Sequence, residues 1–126
     1  MRPYKPTRPM LLLFFLLAGC MTVTPADLRV KIIDDFLASS IKVLNVTTAV
    51  NSGGFMEAQV IGDNNTSLYK KLEYKIEWID QNGFIIPSIL SRWTSFPAYE
   101  NASFNFKAVA PRTTAVDFKI LIRKAN

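Results

Sequence analysis

The stretch Leu72-Glu73-Tyr74-Lys75-Ile76-Glu77-Trp78-Ile79-Asp80-Gln81-Asn82-Gly83 decides the fold. Leu72, Tyr74, Ile76 and Trp78 alternate with Glu73, Lys75 and Glu77. Successive side chains of an extended chain point to opposite sides, so this is a strand with one apolar and one charged face. Asp80-Gln81-Asn82-Gly83 is turn chemistry. Asn-Gly between apolar runs favours positive φ at both residues, which predicts a tight hairpin joining Trp78-Ile79 to Phe84-Ile85-Ile86. Pro87 then ends that second arm or holds it to a sheet edge, because it has no N–H for a ladder.

The same period continues outward in both directions. Val116, Phe118, Ile120 and Ile122 form one apolar set, Phe104, Phe106 and Ala108 another, Met56, Ala58 and Val60 a third, and Leu44, Val46, Thr48 and Val50 a fourth. Asn51-Ser52-Gly53-Gly54 and Asp63-Asn64-Asn65-Thr66-Ser67 punctuate these runs as turns. Leu28 to Ile33 reads as a further strand, and Asp34 to Ser40 as one or two helical turns started by an Asp cap. About seven short strands with no long helix predict an all-β protein, an antiparallel immunoglobulin-like β-sandwich, with a small barrel as the alternative.

Upstream of this domain the chain is of another kind. Met1 to Met10 is basic, and Leu11 to Gly19 is an uncharged apolar run. About 20 apolar residues are needed to cross a bilayer and this run has half as many, so it reads as a cleaved signal peptide over 1–19. Leu17-Ala18-Gly19-Cys20 resembles the lipobox of bacterial lipoproteins. That resemblance implies signal-peptidase recognition at Leu17, Ala18 and Gly19 and a lipid on Cys20, so the membrane is the first expected partner. Met21 stands where an aspartate retains enterobacterial-type lipoproteins in the inner membrane, which implies an outer-membrane, periplasm-facing location. Residues 20–27 read as the lipidated N-terminus and tether, and 28–126 as the domain.

The order of Trp78-Ile79-Asp80 with its Gly turn, Trp93, the Pro97 to Asn101 turn, Ala110-Pro111 and the final strand Val116 to Arg123 resembles the YcfL-like family of bacterial lipoproteins. The resemblance runs from Cys20 to Arg123. It implies a periplasm-facing β-sandwich on a lipid anchor and brings no established activity. The loop Gly62 to Ser67 is richer in Asn than that family's pattern.

Composition closes off much chemistry. The chain has no histidine and a single cysteine, so histidine triads, zinc clusters and internal disulfides have no residues to build them. The formal charge is +5, but Arg2, Lys5 and Arg8 lie in the signal segment, and the remaining twelve basic residues are interleaved with ten acidic ones. Nucleic-acid binding is therefore not expected. Glu73 and Glu77 stand about 13 Å apart on a strand, too far for a paired-carboxylate mechanism. Asp34 with Asp35, and Asp63 with Asn64 and Asn65, lack the ligand count of a calcium loop and read as cap and turn residues. Neither a metal nor a cofactor is expected. Trp78 reads as core. Trp93, Phe96 and Tyr99 either cap one end of the sandwich or form a partner-contact patch. The expected role is non-enzymatic binding of another envelope protein, by a sheet edge or by that aromatic end. The alternatives are a structural lipoprotein of a secretion or surface-appendage assembly and a glycan- or small-ligand-binding module.

Overall fold

The strand centred on Leu72 to Trp78 lies inside the larger of two sheets. The computed structural model describes residues 29–126 and, apart from them, Pro3. The expectations for Leu17, Ala18, Gly19 and Cys20 and for the tether fall outside the described residues. In chain order the elements are β1 (Val30–Ile32), α1 (Asp35–Ala38), β2 (Ile41–Val50), β3 (Met56–Asn64), β4 (Lys70–Asp80), β5 (Thr94–Ala98), β6 (Ala102–Val109) and β7 (Ala115–Lys124). The four-stranded sheet has the order β1-β7-β4-β5 and the three-stranded sheet the order β2-β3-β6. Their inner faces pack as the expected sandwich. All pairings are antiparallel except β1 with β7, where Val30 stands beside Ile120 in a parallel register.

The inner faces follow the alternation. Leu72, Ile76 and Trp78 of β4 meet Phe118, Ile120 and Ile122 of β7 on one sheet, and Val60, Phe104 and Phe106 supply the other. Aromatic rings form the centre. Tyr74 stacks on Phe106 with centroids 4.1 Å apart, and Trp78 meets Phe118 edge-on at 5.6 Å. Each such side chain contributes about 1.5–3 kcal/mol by leaving water, so the wet faces can carry charge without endangering the fold.

Two bulges break the alternation. On β7 the register passes from Asp117 opposite Ile79 to Ala115 opposite Asp80, so Val116 is the extra residue. It is 50 % exposed while Ala115 is buried. On β2 the register skips Leu44, which is 47 % exposed, and inward parity moves from Ile41 and Val43 to Val46. A bulge places two residues opposite one and exchanges the faces of the strand beyond it. Leu44 and Val116 are therefore withdrawn from the expected core, and Val50, which keeps the parity of Val46, is exposed at the end of β2.

Turn boundaries shift as well. β3 continues through Asp63 and Asn64, which the sequence pattern places in a turn. Phe84 to Ile86 does not form a strand: Ile85 makes a single bridge to Ile79, and Ile86 N–H donates to the Trp78 carbonyl at 2.8 Å. The chain then passes Pro87 and pairs with β4 only as β5. Of Asn82 and Gly83 only the glycine has positive φ, at 82°. Asp80 Oδ1 accepts from the amides of Asn82 and Phe84, and Gly83 N–H donates to the Asp80 carbonyl. Asn51 builds the same turn with Gly53, Gly54 and Phe55, again with a positive φ only at the closing Gly54. Asp34 caps α1 as expected, its side chain accepting from Phe36 and Leu37.

Candidate functional site

The three aromatics expected to act together are not brought together. Phe96 is 6 % exposed and packs on Tyr74, Phe104 and Phe106, so it is core and leaves the partner-contact set. Trp93 lies over the guanidinium of Arg123, 3.8 Å from the ring centre, and Arg123 Nε stands 3.6 Å from Glu73 Oε1. Tyr99 is past the end of β5, exposed, and 5.4 Å from Tyr69. The reason is the strand period. Residues three apart fall on opposite faces, and residues six apart are separated by about 20 Å along the strand.

The charged residues of β4 form one face, with Glu73 paired to Arg123 and Lys75 to Glu77. Their side chains are half-buried, Glu73 the most covered, so the face is only partly solvated. The oxygens considered for a cation serve protein donors instead. Asp63 accepts from Ser103 Oγ at 2.8 Å. Asn64, fully buried, donates to the carbonyls of Leu68 and Ala98 and accepts from the amide and hydroxyl of Thr66. Asn64 thereby ties the end of β3 to the end of β5. Its burial has a sequence signal, because it continues the parity of Ala58, Val60 and Gly62. Among the described residues no three Asp, Glu or Cys side chains gather as a metal-holding group, and no helix is long and apolar enough to cross a membrane.

What the fold does leave open is the two edges of the smaller sheet and one loop. β2 ends the smaller sheet, and among the described residues no strand pairs with its outer side. From Asn45 to Val50 it carries no charge and no proline. The edges of the larger sheet are blunted in the ways that sheets resist adventitious pairing: β1 has three residues and β5 contains Pro97; on the smaller sheet β6 carries Lys107 near its end and β2 carries Lys42 near its start. On the larger sheet β5 covers β4 only from Lys70 to Tyr74. The segment before β5 flanks the rest and leaves a cleft of about 210 Å³ lined by Tyr74, Ile76, Trp78, Leu90, Arg92 and Val109 among others. That segment exposes Phe84, Ile85, Leu90 and Ile89, the last at 91 %. Sequence reasoning missed this loop because it assigned its first part to a strand.

A family model described as "Protein of unknown function (DUF1425)" matches residues 29–124. None of the curated proteins matches the chain. Among solved structures, that of Campylobacter jejuni cj0090 is similar at 23 % identity over 77 % of this chain and 98 % of that one, with a TM-score of 0.64. A DUF1425 family member from Shewanella sp. pv-4 is similar at 27 % identity over 68 % of this chain and 79 % of that one, with a TM-score of 0.61. The chain belongs to the DUF1425 family.

Proposed function

We propose that this DUF1425 member is a non-enzymatic envelope lipoprotein of YcfL-like type, which binds an extended segment of another envelope protein along the free edge of β2. The anchor rests on Leu17-Ala18-Gly19-Cys20. Two or three acyl chains, at about 0.8 kcal/mol per buried methylene, hold such a protein durably at a membrane. With Met21 after the cysteine, the outer membrane and its periplasmic side are the proposed location.

The uncharged edge from Asn45 to Val50 carries the binding half of the proposal. Asn51 N–H donates to the Phe55 carbonyl, and hydrogen-bonded pairs alternate along an antiparallel ladder. Ala49 and Thr47 therefore bond inward to β3, while Val46, Thr48 and Val50 direct their amides and carbonyls outward. An added strand would satisfy those groups, and side chains on alternate positions would set its identity. A role in a secretion or appendage assembly uses the same edge and differs only in the partner. The cleft beside β4, at about 210 Å³, is smaller than the roughly 300 Å³ at which small-molecule sites begin, so that cleft does not support the ligand-binding reading.

The test is photo-crosslinking in cells from a reactive residue at Thr47, followed by mass spectrometry. One reproducible envelope partner is expected, and Thr48→Pro should remove it, because that proline deletes an outward N–H and leaves the ladder to β3 intact. A crosslink pattern unchanged by Thr48→Pro would exclude this edge. Cys20→Ser should separately release the protein from the membrane or stall its precursor.

A further inference from the structure

We infer that β2 pairs with β2 of a second copy of this chain, antiparallel and with the two-fold axis through Thr48. The inference rests on the open edge of the proposed function and not on its envelope partner. The sequence around Thr48 is the first observation. Asn45-Val46-Thr47-Thr48-Ala49-Val50-Asn51 reads nearly the same in both directions. In a two-fold contact residue i meets j and j meets i. An axis through Thr48 therefore sets Thr48 against itself, Val46 against Val50 and Asn45 against Asn51. Thr47 against Ala49 departs from identity, and there both side chains are small. Cross-strand pairs of like β-branched residues stabilise an antiparallel ladder.

Hydrogen-bond parity is the second observation. Asn51 N–H donates to the Phe55 carbonyl, and β2 keeps an unbroken register with β3 from Val50 opposite Met56 to Asn45 opposite Ile61. Val46, Thr48 and Val50 are thus the residues whose amides and carbonyls point away from β3. They are the same residues that the palindrome sets opposite one another, Thr48 with Thr48 and Val46 with Val50 on either side. An axis through Thr47 or Ala49 keeps this parity but sets valine against threonine. Exposure and charge agree with Thr48. Val50 is 66 % exposed on the side of β2 that Val46 shares, and the counterpart strand covers it. Residues 43–56 carry no charge, so the axis brings no charge against its own copy, and Lys42 falls opposite residue 54, beyond the strand. The pairing joins two three-stranded sheets into one and closes an edge that otherwise invites association. An envelope partner then has to displace the second copy.

The experiment oxidises native membranes holding the full chain with Thr48→Cys or with Asn45→Cys, using copper phenanthroline. Peptide mass spectrometry locates each disulfide and separates it from any bridge through Cys20. Both positions are exposed, so neither substitution opens the core. Hydrogen-bonded residues opposite each other stand about 5.5 Å apart between Cα atoms, within disulfide reach, whereas the two copies of position 45 stand about 20 Å apart. The expected result is a dimer bridged through position 48 and none bridged through position 45. Val50→Pro added to Thr48→Cys should reduce that dimer about tenfold, because it deletes an outward N–H on each copy. Absence of a bridge at position 48, or bridges at 45 in equal yield, would overturn the self-pairing. A photo-crosslink from position 47 to a different protein, with no bridge at 48, would overturn it too and leave the proposed function standing. A bridge at 48 with photo-crosslinks from position 47 only to a second copy would do the reverse.

Discussion

The two ends of the sandwich expose apolar side chains alike, yet they are built differently. At the end that carries Phe84, Ile85, Ile89 and Leu90 the turns are held from the surface, by Asp80 and Asn51 side chains that accept from amides of their own turns. At the end that carries Phe36, Leu68, Tyr69 and Tyr99 the connections are held from inside, by the buried Asn64. Apolar exposure therefore does not rank the ends. The hydrogen bonds do, because the internal knot makes the Asn64 end the stiffer one.

The comparison can be broken most decisively at Asn64. Asn64→Leu keeps the branching of the side chain but leaves the Ala98 and Leu68 carbonyls without their donor, and should cost about 3 kcal/mol in denaturant unfolding. A cost below about 1 kcal/mol would mean that the knot does not hold that end. Next is Gly62→Ala. A Cβ there would come 2.7 Å from the Lys42 carbonyl and 2.9 Å from Phe104 Cε2. Overpacking of that kind should cost about 2 kcal/mol, read by the same measurement. At the other end Asp80→Ala should cost only about 1 kcal/mol, since it removes a solvent-side acceptor and no buried one. The smallest effect sharpens the comparison without a mutation. Amides of residues 84–92 should exchange with deuterium faster than those of 64–69, because local opening tracks the lack of buried anchors.

Much of this was legible in the chain. The strand from Leu72 to Trp78 and that from Phe104 to Ala108 show their faces in their own alternation, and Asp34 announces the helix it caps. What misled was counting parity across residues whose register is set by a neighbour. Nothing local marks Leu44 or Val116 as the extra residue in its ladder, since a bulge exists only relative to the partner strand. The irregular composition from Pro87 onward hides a five-residue strand containing Pro97, and with it the burial of Phe96. The candidate site fared worse than the fold for the same reason. Whether an edge is free depends on which strand lies beside it, and β2 is open because β3 has β6, not a further strand beyond β2, as its second neighbour.

The sequence by itself determined the all-β class, most of the strands and turns, and the lipobox-like segment around Cys20, because these depend on side-chain period, local turn chemistry and a contiguous motif. The parallel seating of β1 on β7, the bulges, the burial of Asn64 and the free edge of β2 were decided only by the tertiary structure. Each is a relation between residues far apart in the chain, and such relations are settled when two sheets close on one core.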